Sequence, residues 1–141
     1  MLIDVNLLVY AALEGAAEHD RAAAWLSEQL NGDVRVGIPW ECVTGFLRLA
    51  TNPRIASPPI EALAAWETVE SWLSQPNVWT PMPTDAHTRV LGDLVKRYRL
   101  TGKQVPDGNL VALAIEHGLD VYSADADFAR FSEIRWRNPL A

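Results

Sequence analysis

The sequence predicts an α/β domain built around a mainly parallel sheet. Short apolar segments bounded by turn-forming residues alternate along the chain with longer segments of helical periodicity. Such alternation is typical of parallel strands joined by crossover helices. The chain has 141 residues, of which 49% are hydrophobic, and this is enough to bury a sizeable core. We therefore expect one domain over residues 1–141.

Five short segments are predicted to be strands. They are residues 1–5, 34–38, 78–82, 120–124 and 134–136. The first lies in MLIDVNLLVY, where Asp4 interrupts an otherwise apolar stretch. An unpaired carboxylate costs several kcal/mol in an apolar interior. Asp4 is therefore expected to be paired, hydrated or bound to a metal ion.

Five longer segments show helical periodicity. They are residues 18–30, 39–51, 59–74, 84–100 and 106–118. The helix at 39–51 begins at a proline and places Val43, Phe46, Leu47 and Ala50 on one apolar face. The helix at 59–74 is predicted to bury Leu63, Trp66, Val69 and Leu73.

The composition excludes several kinds of site. Cys42 is the only cysteine, and His19, His87 and His117 lie far apart, so neither an internal disulfide nor a zinc site is expected. The apolar N-terminus lacks a basic leading region, and no run of 18 apolar residues occurs. These features predict a cytoplasmic protein that does not span a membrane.

The formal net charge of −6 argues against nucleic-acid binding if the charge is spread evenly. A few acids gathered at one metal site would distort that sum. The basic residues are also uneven, because the stretch KRYRLTGK holds Lys96, Arg97, Arg99 and Lys103 without an acid. This run is either a solvated face or a grip for a polyanion.

Four acids are predicted to meet at one edge of the sheet. Asp4 lies near the end of the first strand, and Asp125 follows the fourth. Glu41 lies in the first turn of the helix after the second strand, and Asp107 begins the helix that leads into the fourth strand. The carboxyl ends of parallel strands share an edge, where the active sites of such sheets lie.

Each acid also has a structural interpretation. Asp107 could cap its helix, Glu41 could complement a helix dipole, and Asp125 or Asp127 could cap the short helix ADFARF. Asp4 is predicted to lie within a strand, where an acid has no such local role.

Helical geometry places Glu41 away from the core face of its helix. Gly45 follows one turn later and is expected to leave a gap beneath Glu41, and Arg48 lies on the same side of the helix. An acid, a gap and an arginine indicate the wall of a site. Oxygen ligands without histidine or cysteine suit Mg²⁺ or Mn²⁺, which can activate water and neutralise a phosphodiester.

Four segments together resemble the PIN-domain ribonucleases, and most closely the bacterial VapC-type toxins of toxin–antitoxin pairs. They are LIDVNLLVY, the helix that carries Glu41, VPDGNLVALAIEHG, and VYSADADFARF followed by RWRNPL. The resemblance runs from Met1 to Leu140. It implies a three-layer fold with a five-stranded, mainly parallel sheet between helices. It also implies a Mg²⁺- or Mn²⁺-dependent endoribonuclease that forms a homodimer and is silenced by the C-terminal tail of a cognate antitoxin.

The resemblance also implies roles for individual residues. The catalytic acids would be Asp4, Glu41, Asp107 and Asp125, of which Asp4, Asp107 and Asp125 would bind the metal. Asn6, Ser123 and Asp127 would support them. Arg48, Lys96, Arg97, Arg99 and Lys103 would contact RNA or the antitoxin.

The chain departs from the family pattern after the third acid. Gly108 and Asn109 stand where many relatives have alanine followed by histidine. Glycine in a first turn costs up to about 1 kcal/mol, so the start of this helix is expected to be loose.

Two other functions compete with this one. The first is a catalytically inactive RNA-binding or regulatory PIN-like module, which the presence of all four acids disfavours. The second is a haloacid-dehalogenase-type phosphatase, which needs a second aspartate two residues after the first. Asn6 occupies that position here.

Overall fold

A five-stranded, all-parallel sheet forms the centre of the computed structural model, which describes residues 1–141. The strands are β1 (Leu2–Ile3), β2 (Val36–Gly37), β3 (Val78–Trp79), β4 (Val121–Tyr122) and β5 (Trp136–Arg137), in the order β3-β2-β1-β4-β5. Leu2 is paired with Gly37 on one side and with Val121 on the other. The predicted fold class is confirmed, and each strand is shorter than the sequence suggested.

Six α-helices and one short 3₁₀ helix connect the strands. They are α1 (Val5–Ala12), α2 (His19–Leu30), α3 (Trp40–Ala50), α4 (Ala62–Leu73), α5 (His87–Tyr98), α6 (Gln104–His117) and the 3₁₀ helix Ala126–Arg130. Helices α1–α4 lie in the connections that lead from β1 to β3, whereas α5 and α6 lie in the crossover that returns to β4. Right-handed crossovers running in opposite directions place these two groups on opposite faces of the sheet. The result is the expected three-layer arrangement.

Helix α1 corrects the prediction of a strand over residues 1–5. The strand ends at Ile3, and Asp4 caps the helix that begins at Val5. Asp4 has extended backbone angles (φ −76°, ψ 156°), and its Oδ1 accepts a hydrogen bond of 2.8 Å from the amide of Val5. Periodicity does not distinguish a short apolar strand from a short buried helix. The cap decides between them, so Asp4 is not a mid-strand acid and has a structural role.

The predicted core face of α4 is also wrong. Leu63 is 70% exposed and Trp66 is 40% exposed, whereas Ala65, Val69 and Trp72 are buried. The ring of Trp72 meets Phe46 of α3 edge-on, with 4.7 Å between the ring centroids. Helix α4 has apolar residues on several of its own faces, so its sequence alone does not determine which face is buried. The contact between Trp72 and Phe46 determines it.

Helix α6 is the most deeply buried helix near the site. Its buried residues include Gly108 and the run Leu110–Ala114, which join a core of 28 buried residues. A Cβ at position 108 would collide with the side chain of Leu100, so glycine permits this close approach. Because α6 begins at Gln104, Gly108 lies a full turn inside the helix. The expected loosening of the helix start at Gly108 is therefore wrong.

None of the helices combines the length and the apolar character needed to cross a membrane.

Candidate active site

The candidate site lies where the strand order changes direction. From β1 the chain moves to β2 and β3 on one side, and β4 and β5 occupy the other side. The carboxyl ends of β1 and β4 therefore border the crevice in which open α/β sheets bind ligands. Asp4 follows β1 and Ser123 follows β4, and the first turn of α3 brings Glu41 to the same edge.

Ser123 joins the ends of β1 and β4. Its buried hydroxyl donates to Asp4 Oδ2 at 2.7 Å. The oxygen of the Ser123 hydroxyl also accepts hydrogen bonds from Asn6 Nδ2 at 3.0 Å and from the amide of Asp125 at 3.0 Å. The oxygen of the Asn6 side chain accepts from the amide of Ala124 at 3.2 Å. Ser123 thus uses its proton and both lone pairs to hold the Asp4 carboxylate against the loop that carries Asp125.

Asp125, rather than Asp127, caps the 3₁₀ helix. Its Oδ1 accepts a hydrogen bond of 2.9 Å from the amide of Asp127, and Asp127 itself is exposed. Asp107 caps nothing, because α6 begins three residues earlier at Gln104. The structural interpretation offered for Asp107 is therefore wrong, and no hydrogen bond lowers the pKa of its carboxyl group.

The acids act on one another electrostatically. Burial, together with the charges of Asp4, Asp125 and Asp127, raises the pKa of Asp107 to about 6, against the opposing charge of Arg130. Burial also raises the pKa of Asp4, against the hydrogen bonds from Ser123 and Val5. The N-cap of α1, the first turns of α6 and the loop after β4 thus carry acids near enough to influence one another's charge.

Glu41 lies near the same acids. Burial raises the pKa of Glu41, the negative charge of Asp4 adds to that rise, and a hydrogen bond from Asn109 opposes it. Asn109 Nδ2 donates to Glu41 Oε1 at 2.9 Å. The gap expected at Gly45 is not present, because the side chain of Val5 would lie 3.2 Å from a Cβ there. Arg48 is exposed in the last turn of α3.

Asn109 has partners that the sequence does not predict. His87 of α5 approaches Asn109 Oδ1 with its Nε2 at 2.8 Å and Glu116 Oε2 with its Nδ1 at 2.5 Å. Asn109 stands two residues after Asp107, which is a weak signal in the sequence. His87 and Glu116 carry no such signal, because α5 and α6 must pack before they meet.

The basic run extends from the last turn of α5 to the start of α6. Arg97 pairs with Glu133 at 3.2 Å, so an acid distant in sequence neutralises part of the run. Arg99 ends α5 in the left-handed conformation (φ 52°, ψ 51°). Lys103 directly precedes α6 and stands one helical turn before Asp107. Lys103 is thus the member of the run nearest to the acids along the chain.

The donor set fits a hard divalent cation. No three Asp, Glu, His or Cys side chains lie close enough together to enclose an ion. Mg²⁺, however, keeps several waters and takes one or two carboxylates directly, the remaining oxygens coming from substrate phosphate. The acids that raise the pKa of Asp107 offer only oxygen atoms. Asp4, Asp107 and Asp125 are the acids from which one or two direct ligands of such an ion would come, with water between the ion and the rest.

Known proteins resemble this chain over nearly its whole length. The family model of the PIN domain matches residues 1–134. A curated relative, Ribonuclease VapC33 of Mycobacterium tuberculosis, is 36% identical over 137 residues, which cover 97% of this chain and 96% of the relative.

Two solved structures share the fold. The structure of VapC20 from Mycobacterium tuberculosis, described as a toxin that cleaves the sarcin–ricin loop, matches with a TM-score of 0.68 and 18% identity, covering 95% of this chain and 98% of VapC20. A toxin–antitoxin complex from Klebsiella pneumoniae matches with a TM-score of 0.64 and 18% identity, covering 98% of this chain and 96% of the matched chain.

Proposed function

The chain belongs to the PIN domain family, and on that premise we propose that it is the endoribonuclease toxin of a toxin–antitoxin pair, acting with Mg²⁺ or Mn²⁺. The observation that carries the proposal is the mutual electrostatic influence of Asp4, Asp107 and Asp125 at the crevice between β1 and β4. A divalent cation held by these acids would offset their mutual repulsion and would also neutralise the charge of a bound phosphodiester.

The roles of the side chains follow from their contacts. A bound divalent cation would supply Lewis-acid activation of water and neutralisation of phosphate charge. Ser123 keeps Asp4 in one orientation, with both carboxylate oxygens already hydrogen-bonded. Asn109 donates to Glu41 Oε1, which leaves Oε2 to accept a proton from an attacking water. The raised pKa of Glu41 suits a general base, because it brings the pKa of the carboxyl group nearer to the pH at which the enzyme works.

Digestion of a mixed RNA pool tests this proposal. Purified protein is incubated with total RNA in chelator and in added Mn²⁺, and we expect discrete cleavage only with the metal. RNA binding without cleavage at any Mn²⁺ concentration would support the inactive RNA-binding module instead. Hydrolysis of a phosphate monoester without cleavage of RNA would support the phosphatase.

The antitoxin and the dimer belong to the same proposal. The resemblance to a toxin–antitoxin complex supports a cognate protein partner. Leu63 and Trp66 supply an exposed apolar patch one turn apart on α4, which suits contact with a second copy of the chain. The expectation that these two residues lie in the core is thereby replaced by a proposed role in dimerisation.

Leu63→Glu is expected to shift the protein from dimer to monomer in sedimentation velocity runs at micromolar concentration. The substitution places a charge in an apolar contact. Val34→Glu is the matched control, because Val34 is 59% exposed and lies just before β2, at the amino ends of the strands and outside α4. A wild-type monomer, or equal dimerisation of both variants, contradicts the assignment of α4.

Neutralising Lys96, Arg99 and Lys103 to glutamine is expected to weaken RNA binding and to flatten its salt dependence. For single-stranded RNA, every phosphate that the protein no longer neutralises should reduce the slope of log K against log salt by about 0.7. Arg97→Gln is the control, because Arg97 already pairs with Glu133 and should change the slope little. An unchanged slope in the triple variant would show that the run is only a solvated surface.

A further inference from the structure

A chain of hydrogen bonds links Glu41 to residues outside the acidic crevice. Asn109 donates to Glu41 through Nδ2 at 2.9 Å, and its Oδ1 lies 2.8 Å from Nε2 of His87. The other ring nitrogen of His87 lies 2.5 Å from Glu116, whose side chain is only 1% exposed. Helices α3, α6 and α5 therefore meet through one polar path.

The path requires a defined direction for every proton. An amide that donates to Glu41 through Nδ2 presents Oδ1 to His87, and this oxygen can only accept. The Glu116 carboxylate likewise accepts from Nδ1. Both ring nitrogens of His87 must then donate, which is the pattern of an imidazolium and not of either neutral tautomer.

We propose that His87 is a positioning residue for Glu41, because its imidazolium holds the Asn109 amide in the orientation that donates to the Glu41 carboxylate. The inference rests on the proposed function, in which Glu41 is the catalytic group. The inference assigns a role to His87, a residue of α5 that belongs neither to the four acids nor to the basic run.

The charges around His87 support this assignment. Burial opposes protonation of His87, but the hydrogen bonds to Glu116 and Asn109 outweigh it, and with the charges of Glu116 and Glu41 they raise the pKa of the ring. Thr84 donates to Glu116 through its amide at 2.9 Å and through its hydroxyl at 2.6 Å. Although burial favours the neutral form of Glu116, these bonds and that from His87 lower its pKa. Glu116 on α6 and Glu41 on α3 are the charged groups that face the ring.

Deprotonation of His87 should release Glu41. A neutral ring that keeps its proton on Nδ1 for Glu116 turns the lone pair of Nε2 toward Asn109 Oδ1. Two acceptors then face each other, so the amide turns over and presents its oxygen to Glu41. Glu41 loses its donor, and cleavage should fall as the pH rises through the raised pKa of His87.

Nuclear magnetic resonance of the metal-free protein tests the linkage without using activity. Between about pH 5 and 9, which spans the range where histidine titrates, the side-chain NH₂ signals of Asn109 should shift with the same midpoint as the His87 ring. The shift should vanish in His87→Phe and persist in His19→Phe. His19 is the matched control, because its ring is hydrogen-bonded to the backbone oxygen of Tyr10 and takes no part in the path to Glu41. If the chemical shifts of the Asn109 NH₂ group do not change as His87 titrates, the inference is overturned.

Kinetics supply the second test. His87→Phe should lower kcat by about tenfold, the size typical of losing a group that orients a site residue, with KM unchanged and no alkaline fall. Glu116→Gln should move that fall to lower pH, because it weakens the charge that protonates His87. A His87→Phe variant with the kcat and pH profile of the wild type refutes the role. If the wild type cleaves no RNA, the proposed function fails, and the resonance data alone decide the linkage.

Discussion

Asp4→Asn is expected to abolish RNA cleavage while the protein remains folded. The substitution keeps the shape of the side chain but removes the charge that would hold a divalent cation. Its amide cannot replace both acceptor oxygens of Asp4, so either the bond from Val5 or that from Ser123 is lost. One such bond contributes about 0.5–1.5 kcal/mol, so a modest drop in stability is expected. Cleavage should fall by more than about 100-fold, which exceeds the usual loss for a supporting group.

Ser123→Ala separates the charge of Asp4 from its structural role. This variant loses the hydrogen bond to Asp4 and those from Asn6 and the amide of Asp125, but it keeps the Asp4 carboxylate. It should therefore be destabilised at least as much as Asp4→Asn and still cleave RNA measurably. Rates are compared on one RNA substrate, and folding is checked by thermal melting. Wild-type cleavage by purified Asp4→Asn would remove Asp4 from the site.

The titration of Asp107 should lower the stability of the metal-free protein as the pH rises between 3.8 and about 6. Asp107 has an ordinary pKa of 3.8 in the unfolded chain and a raised pKa of about 6 in the folded protein. Within that interval the folded state binds more protons, so the free energy of unfolding falls with rising pH, and the penalty is complete above the raised pKa. Mn²⁺ should reverse this loss, because it binds the folded crevice and not the unfolded chain.

Asp125→Asn should be more stable than the wild type at pH 8 in chelator, and it should gain less from Mn²⁺. It removes a charge that raises the pKa of Asp107, while an amide oxygen at position 125 can still cap the 3₁₀ helix. We expect a melting temperature higher by a few degrees, since about 1 kcal/mol corresponds to about 2–4 °C for a chain of this size. The advantage should shrink at pH 5.5, below the raised pKa of Asp107.

A melting series at both pH values, in chelator and in Mn²⁺, measures these effects. His87 also loses its stabilising charge as the pH rises, but it does so equally in both proteins, so their difference reports on the acids. Asp33→Asn is the matched control, because Asp33 is exposed and precedes β2 at the opposite edge of the sheet. If Asp125→Asn is less stable than the wild type at pH 8 and Mn²⁺ stabilises both equally, the acids do not share a site.

The sequence was sufficient to predict the sheet and the edge of it at which Asp4, Glu41 and Asp125 lie. Alternating apolar segments and helical patterns indicated five parallel strands, and parallel strands bring their carboxyl ends together. The placement of Asp4, Glu41 and Asp125 at that edge follows from this rule alone. The packing of side chains was needed to establish how each acid is held.

The predictions that are wrong concern segments whose local sequence pattern permits two structures. The run after Asp4 is compatible with either a strand or a helix, and the hydrogen bond from Val5 decides in favour of the helix. The buried face of α4 depends on the contact between Trp72 and Phe46, which lie in different helices. Gly45 makes room for Val5 and not for a ligand, which only the packing of α1 on α3 reveals.

The path from Glu116 to Glu41 could not be predicted from one sequence. His87 and Asn109 are 22 residues apart, and Asn109 and Glu41 are 68 apart. Each is unremarkable in its own helix. Their chemistry appears only when three helices bring a donor to each acceptor, at distances that sequence spacing does not determine.

Binding of Mn²⁺ to the purified metal-free protein, measured by electron paramagnetic resonance, tests most directly whether the acids form one metal site. Free Mn²⁺ is quantified at pH 8 for the wild type, Asp4→Asn, Asp107→Asn and Asp33→Asn. We predict that the wild type and Asp33→Asn bind with the same affinity and that Asp4→Asn and Asp107→Asn each bind at least about tenfold more weakly, a difference of about 1.4 kcal/mol. Equal binding by all four proteins, or no binding by the wild type, would contradict a shared metal site formed by Asp4 and Asp107.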